Sequence, residues 1–359
     1  MKPLYNLNDI HAGVIRSGGT TPATSVKLRL QVAERFGDLL GHCNGGDVII
    51  NGDLFDEFMV PFTDLWRITE LSLEFLARSP ESCLYVCRGN HDIAKNTTMM
   101  SAFDLYCRFL GQVHQKDRFV AITEPFHILK HKAFVIPHMP NQDLFDLAMT
   151  QVKTTKFLFV HCNYDNKFAM EKDHSLNMTP DQARDAPVDH IIFGHEHQRS
   201  SHLAGKVVVV GNQIPSSVSD CLGNDAKYAL KIHDGKLEFI PVWDVDSPAG
   251  LARVDWRALK EQPDNFDFVR VEGEASSAEA AEVISAIAKF RTKSQALVVS
   301  NAVQIDGVQT DEGALRSSLE DAKGFDVIKA LLDSLEPGYQ RDTVSNIIEK
   351  HNVQTRQID

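Results

Sequence analysis

The chain has 359 residues, of which 43% are hydrophobic and 24% charged. This composition is typical of a globular protein and excludes disordered, collagen-like and low-complexity chains, while the length suggests about two domains. Acidic residues outnumber basic ones by 49 to 37, so the formal net charge is −12. That balance argues against a broadly basic surface that coats nucleic acid, but it is compatible with a local basic groove or with bound metal cations.

The six cysteines are scattered without a disulfide framework, and a chain of this length can bury a core without cross-links. We interpret them as reduced thiols, which predicts a cytoplasmic protein. Cys83 and Cys87 lie four apart in an apolar run, which favours buried packing over zinc binding. No apolar stretch approaches the roughly 20 residues of a membrane-spanning helix. The first residues also lack the apolar region of a signal peptide.

Short apolar runs, each followed by a polar cluster, recur through the first two hundred residues. Continuous β-branched and aromatic runs of this length are typical of strands buried on both faces. We predict such strands at 47–50, 83–87, 157–160 and 190–193. Amphipathic helical patterns lie between them at 26–40, 64–77 and 102–110. The alternation predicts an α/β layered fold, in which ligands bind beyond the carboxyl ends of the strands.

The pattern changes after residue 197. A strand is predicted at 206–211, followed by a hairpin of strands 228–232 and 237–242 around the turn Asp234-Gly235. The pattern breaks near 246–250, which predicts a first domain at 1–245 and a small α+β domain at 246–359. For the second domain we predict strands at 266–271 and 296–299, a helix opened by a Ser276–Glu279 capping box, and amphipathic helices at 325–335 and 343–351.

Five polar clusters in chain order carry the candidate chemistry, and each follows an apolar run. They are Asp9-Ile10-His11, Gly52-Asp53-Leu54-Phe55-Asp56, Gly89-Asn90-His91-Asp92, His161, and Gly194-His195-Glu196-His197. Oxygen and imidazole donors without thiolate suit manganese, iron or zinc. Alternate residues of an extended segment point the same way, so Asp9 with His11, and His195 with His197, each present two donors on one face.

The same clusters offer the parts of a two-metal site. The carboxylate of Asp53 can bridge two ions, and Asn90 adds a neutral oxygen ligand. Two ions about 3.5–4 Å apart would clamp the attacking and leaving oxygens of an in-line displacement at phosphorus. A water shared between the ions loses a proton near neutral pH and becomes the nucleophile. The expected chemistry is therefore phosphoester hydrolysis.

This ordered set of motifs resembles the calcineurin-like metallophosphoesterase family, over about residues 4–245. The resemblance implies an α-β-β-α metallophosphoesterase sandwich with residue roles that follow from the matched motifs. One metal would be held by Asp9, His11 and His197, the other by Asn90, His161 and His195, with Asp53 bridging them. His91 would not be a ligand; it would protonate the leaving oxygen or stabilise the transition state. Asp92 would orient His91, and Asp56 would brace the metal ligands.

Three features narrow the resemblance to SbcD-type DNA nucleases, including phage-encoded members. Residues 211–220, with the strands 228–232 and 239–242, are similar to the end of the phosphoesterase domain of that branch. The motif at 52–56, followed closely by Pro61 and a long helix, is similar as well. The small domain at 246–359 matches the DNA-capping domain in position and size.

The resemblance implies a Mn²⁺-dependent 3′→5′ exonuclease and single-strand endonuclease in DNA repair or recombination. Its partners would be DNA ends and, as open alternatives, an SbcC-type coiled-coil ATPase and a second copy of the chain; no membrane is involved. The two C-terminal helices would either bind that ATPase or close the cap. A competing interpretation keeps the same two metals but makes the protein a small-molecule phosphodiesterase or phosphatase on nucleotides. Arg88, Lys95 and Arg199 are candidate phosphate contacts.

Overall fold

Two six-stranded sheets form the centre of the computed structural model, which describes residues 2–15, 19–93, 99–113, 118–166, 176–223, 226–247, 250–261 and 266–306. The first sheet has the spatial order β14 (Lys236–Asp244), β13 (Ala226–His233), β1 (Leu4–Leu7), β2 (Asp47–Asn51), β3 (Leu84–Cys87) and β4 (Phe119–Ile122). The second has the order β11 (Ser200–His202), β12 (Val207–Val209), β10 (Val188–Gly194), β7 (Thr155–His161), β6 (Ala133–Ile136) and β5 (Phe126–Ile128). Strands β1 to β4 are parallel, and so are β12, β10, β7 and β6.

Helices cover the outer face of each sheet. On the first sheet these are α1 (Pro22–His42), α2 (Phe62–Arg78) and α3 (Ala102–Val113). On the second they are α4 (Gln142–Met149) and α5 (Pro180–Asp185). The strand residues divide with a period of two: Val48 and Ile50 pack towards the helices, whereas Ile49 packs between the sheets. The predicted α-β-β-α sandwich is confirmed, and both faces of its sheets are buried.

The other described strands lie outside the two six-stranded sheets. Two-residue strands pair as β8 (Asn163–Tyr164) with β9 (Asn177–Met178), and a third sheet has the order β15 (Leu251–Asp255), β16 (Phe268–Glu272) and β18 (Val298–Asn301). A last pair joins β17 (Glu274–Ala275) to β19 (Gln304–Ile305). The predicted capping box is present, with Ser276 and Glu279 bonded reciprocally, and α6 (Ala280–Lys293) follows it.

The chain divides into two compact units. One comprises residues 1–272 with 286–302, and the other residues 273–285 with 303–359. Most of the predicted domain 246–359, including its amphipathic helices at 325–335 and 343–351, lies outside the described residues. The boundary after residue 245 therefore stays a prediction.

The predicted strands and helices of residues 26–242 all occur, with ends that differ by a few residues. The hairpin turn places Asp234 and Gly235 at φ +50° and +81°, as a two-residue hairpin loop requires. Each of the six cysteines is a free thiol, and Cys83 and Cys87 are buried beside or within β3, as predicted. Among the described residues, no helix is long and apolar enough to cross a membrane.

A buried carboxylate joins the two sheets at the end opposite the polar clusters. Asp47, at the start of β2, accepts hydrogen bonds from the Cys83 amide at 2.8 Å and from Nε2 of His131 at 2.6 Å. The Lys130 ammonium lies 2.9 Å away. His131 belongs to the turn between β5 and β6, so this contact links the second sheet to the first. Burial raises the pKa of Asp47, but the hydrogen bonds from His131 and Lys130 outweigh it and lower the pKa overall.

We predict that Asp47→Asn lowers the free energy of unfolding by about 1–3 kcal/mol at pH 7, because the new amide cannot accept from His131 and Lys130 in the same way. A carboxyl whose folded pKa is lowered stabilises above its unfolded pKa, near 4, and that contribution is lost as the pH falls. Urea unfolding at several pH values measures both effects. The explanation would be contradicted if the difference in free energy of unfolding between the unsubstituted protein and Asp47→Asn stayed the same well below pH 4.

Candidate functional site

Five loops bring the polar clusters to one edge of the sandwich, because all of them follow carboxyl ends of parallel strands. The loops after β1, β2 and β3 are neighbours in the first sheet, and His161 and the 194–197 segment end neighbouring strands of the second. The first two loops are held together by backbone hydrogen bonds, from the Asp9 amide to Gly52 O at 3.2 Å and from the His11 amide to Asp53 O at 3.1 Å. Strand order alone therefore positions most of the site.

Four of the predicted ligands adopt left-handed backbone conformations. The φ angles are +52° at Asp9, +51° at His11, +48° at Asp53 and +82° at His195. For residues other than glycine, such conformations cost on the order of 1–3 kcal/mol each and concentrate at functional sites. The backbone is therefore locally strained at these four residues, and this conformation directs their side chains into one space.

The first donor group comprises Asp9, His11 and His197, whose ligand atoms all lie within 4.8 Å of one another. Nε2 of His11 is 3.1 Å from Nε2 of His197. These three residues come from the loops after β1 and β10, more than 180 residues apart in sequence. They are the residues expected to hold one metal.

The second donor group comprises Asp53, His161 and His195, again with ligand atoms within 4.8 Å of one another. Oδ1 of Asn90 lies 3.0 Å from Nε2 of His161 and 2.9 Å from Nδ1 of His195, so the amide oxygen belongs to the same cluster. A third group of His11, Asp53 and His91 overlaps both others through shared residues. Asp53 thus lies between the two predicted ligand sets, as a bridging carboxylate would.

Backbone carbonyls fix two of the imidazole rings. Nδ1 of His161 donates to Asn51 O at 2.9 Å, and Nδ1 of His91 donates to Asp56 O. In the neutral form of each ring the proton therefore resides on Nδ1, which leaves Nε2 to bind a cation or to exchange a proton. Nε2 of His161 points at Asp53 and Asn90, and His91 is exposed at the rim.

The electrostatics of the site favour a bound cation. Burial lowers the pKa of His161, but the Asp53 carboxylate 3.2 Å away outweighs it and raises the pKa to about 9. Burial and the neighbouring His161 charge together lower the pKa of His195 to about 4, so this ring is neutral at pH 7 with lone pairs available. Burial, and then the Asp53 charge, raises the pKa of Asp92 to about 7. A proton on His161 thus balances the negative charge of the Asp53 carboxylate, as a bound metal ion would.

The donor set fits two divalent metal ions. Carboxylate, amide and imidazole donors without thiolate converge in overlapping groups, and the predicted ligands are brought together without exception: Asp9, His11, Asp53, Asn90, His161, His195 and His197. The roles assigned to the individual residues stay predictions. Manganese, iron and zinc all suit this chemistry.

Asp92, which was expected to orient His91, makes no hydrogen bond to the His91 ring among the described contacts. Asp92 instead accepts from two backbone amides, Phe55 at 3.1 Å and Gly89 at 2.9 Å, and so ties together the loops that carry Asp53 and Asn90. The carbonyl of Asp56 orients His91. The Asp56 carboxylate lies 3.2 Å from Nδ1 of His11, and the bracing role expected for it stays a prediction.

Two polar residues that support the site were not anticipated from the sequence. Oδ1 of Asp220 accepts from Nδ1 of His197 at 2.8 Å, and Asn8 donates through Nδ2 to Oδ2 of Asp9 at 2.5 Å. Asp220 is in the 211–220 segment whose resemblance was noted, but no spacing rule connects it to His197. Asn8 directly precedes the ligand Asp9, and Asn6 donates through Nδ2 to Oδ1 of Asn8 at 2.9 Å in the same buried network.

The candidate phosphate contacts receive no support. The Arg199 guanidinium is packed against two aromatic rings, 4.7 Å from the Tyr228 centroid and 4.2 Å from the Phe239 centroid. Nη2 of Arg88 donates to Thr123 O at 3.0 Å. Lys95 lies outside the described residues. Arg199 therefore contributes to packing, and Arg88 contributes to loop structure.

Two glycines test whether this geometry is needed for metal binding. A Cβ at Gly52 would lie 1.9 Å from Nδ1 of His161, whereas one at Gly45 would have nothing within 4 Å; both have φ near +80° to +90°. We predict that Gly52→Ala displaces His161 and abolishes Mn²⁺ binding. Gly45→Ala should cost about 1–2 kcal/mol of stability from backbone strain alone and keep the metal. Metal content after dialysis and urea unfolding measure the two effects; equal metal content in both variants would contradict the assignment.

Comparison with a family profile places the chain in a family. The family profile described as calcineurin-like phosphoesterase matches residues 2–199. No curated protein sequence matches the chain. Solved structures with a similar chain path include a phosphopantetheinyl hydrolase from Mycobacterium tuberculosis, at 12% identity and TM-score 0.35 over 58% of this chain and 89% of that one.

A cold-active protein-tyrosine phosphatase of a psychrophilic Shewanella species gives 12% identity and TM-score 0.33, over 67% of this chain and 80% of that one. Similarity at this level says nothing about the substrate of this chain. The family match, in contrast, covers more than half of the chain and includes every predicted metal ligand. The chain belongs to the calcineurin-like phosphoesterase family, whose activity is metal-dependent phosphoester hydrolysis.

Proposed function

We propose that the protein is a two-metal phosphodiester hydrolase that cleaves DNA, of the SbcD type. The observation that carries the proposal is that the third donor group links the other two, because it shares His11 with the first and Asp53 with the second, which gives the site the form of a two-metal centre. When bound, the metals would supply an activated water and stabilise the charge that develops on the phosphoryl oxygens. Asp9, His11 and His197 would hold one of them, and Asn90, His161 and His195 the other.

His91 would act as the general acid. Its Nδ1 proton is held by Asp56 O, so the proton that it can deliver is on Nε2. Its ring centroid lies 5.0 Å from that of His11, which places it beside the donor groups and at the exposed edge of the site. A positioned acid there can protonate the leaving oxygen of a phosphodiester.

Two observations favour DNA over a small molecule. Residues 211–220, with the strands 228–232 and 239–242, resemble the end of the phosphoesterase domain in SbcD-type nucleases. In this structure the first of these segments supplies Asp220, which contacts His197. His91 is exposed, so a DNA strand that passes along the protein surface can reach it. The alternative, a phosphodiesterase or phosphatase on nucleotides, would use the same metals.

The same proposal includes manganese as the native metal and DNA ends as the substrate. It also includes a partner, which would be an SbcC-type ATPase or a second copy of the chain. With a net charge of −12, the protein would gain positive charge for a phosphate backbone from bound cations. Affinity for DNA should therefore depend strongly on the loaded metals.

Substrate choice is tested with end-labelled single- and double-stranded DNA, bis-p-nitrophenyl phosphate and nucleoside monophosphates, each with Mn²⁺ and with EDTA. We expect shortening of DNA from its 3′ end with Mn²⁺ and none with EDTA. Hydrolysis of the nucleotides but not of DNA would support the alternative. No hydrolysis of any of them by a protein that holds two Mn²⁺ ions would overturn both.

The role of His91 is tested by His91→Ala, with His42→Ala as matched control. His42 is also exposed and also hydrogen-bonds through Nδ1 to a backbone carbonyl, at the end of α1. We predict that His91→Ala lowers kcat by about 10²- to 10⁴-fold and leaves the metal content unchanged, whereas His42→Ala changes neither. Loss of metal from the His91 variant would show that His91 is a ligand.

A further inference from the structure

The ring of His197 is fixed by a buried carboxylate on the side that faces away from the donor groups. Nδ1 of His197 lies 2.8 Å from Oδ1 of Asp220, which is 2% exposed. Because a carboxylate can only accept, the hydrogen bond places the proton of the neutral ring on Nδ1. Nε2 then presents its lone pair to the space shared with His11. This is the tautomer that a metal ligand needs.

The Asp220 carboxylate is itself held by the loop that precedes it. Its Oδ2 accepts from the Ser216 amide at 2.8 Å, from the Ser217 amide at 3.0 Å and from the Ser216 hydroxyl at 3.1 Å. The segment 211–220 thus closes around one oxygen and leaves the other for His197. Behind it, the buried Lys227 ammonium donates to His197 O at 3.0 Å.

We propose that Asp220 is a positioning residue that sets the His197 tautomer and thereby the affinity of one of the two metal positions. This inference rests on the proposed two-metal function and goes beyond it, because it assigns a residue outside the family motifs to one position. The other position does not depend on Asp220, because His161 is fixed by the Asn51 carbonyl. Loss of Asp220 should therefore remove one metal rather than two.

The structure predicts how Asp220→Asn will behave. Two backbone amides and a hydroxyl face the site of Oδ2, so the amide oxygen of the new side chain must take that place. Its NH₂ group then faces Nδ1 of His197 as a donor. Nδ1 must accept, the proton moves to Nε2, and the atom that should bind the metal carries a hydrogen instead.

The test is Mn²⁺ binding by equilibrium dialysis and calorimetry, for the full chain and for Asp220→Asn. We expect two Mn²⁺ ions in the unsubstituted protein and, in the variant, one site unchanged and one about 10- to 100-fold weaker. Asp47→Asn is the matched control, since Asp47 is also a buried carboxylate that accepts from a histidine and a backbone amide, at the opposite end of the sheets. The control should keep both sites.

A second readout does not depend on metal or activity. Long-range ¹⁵N–¹H correlation spectra of the metal-free proteins, recorded at a pH where the rings are neutral, report the tautomer of His197. We expect Nδ1–H in the unsubstituted protein and Nε2–H in Asp220→Asn. An Nε2–H tautomer in the unsubstituted protein, or two equal sites in the variant, would overturn the inference. If the unsubstituted protein bound no Mn²⁺, the proposed function would be refuted. The tautomer measurement would still decide whether Asp220 sets the tautomer of His197.

Discussion

The structure depends on one electrostatic constraint: carboxylates and imidazole lone pairs are concentrated in a buried space that only a cation can balance. Asp9, Asp53 and Asp92 are each at most 1% exposed, and the raised pKa of Asp92 reflects burial and then repulsion from the Asp53 charge. Without a metal ion, a proton on His161 is the nearest substitute. Buried charge of this kind is costly unless it is paired, so its presence indicates a function rather than a contribution to stability.

The rest of the sandwich serves to hold that cluster in place. The donors follow the carboxyl ends of five parallel strands in two sheets, and Asn51 connects the sheets beneath them through Nδ2, which donates to the carbonyls of Val160 and Ile192. The carbonyl of the same residue orients His161. Glycine at position 52 is required because a side chain there would meet the His161 ring. Packing at the opposite end, around Asp47, keeps the sheets in register without touching the site.

Much of the site could be predicted from the sequence because its signals are local. Apolar runs such as 47–50 indicate buried strands, and the polar cluster that follows each run must then lie at a strand end. What could not be predicted depends on contacts between distant segments. Asp220 is 23 residues from His197 and in a 3₁₀ turn of three residues, so no periodicity links them. Asp92 follows His91 directly, which suggested a contact, but its carboxylate is turned towards backbone amides of neighbouring loops. Arg199 is close to a ligand in sequence, yet aromatic packing directs it away.

The family explains the chemistry that the donors can perform, whereas the choice of substrate depends on surfaces beyond them. The central claim is that two metal ions bind in the overlapping donor groups with Asp53 between them. It is tested most directly by anomalous diffraction from a crystal soaked in Mn²⁺. We predict two anomalous peaks about 3.5–4 Å apart, one beside Asp9, His11 and His197 and the other beside Asn90, His161 and His195. A single peak, or none at saturating Mn²⁺, would contradict the account.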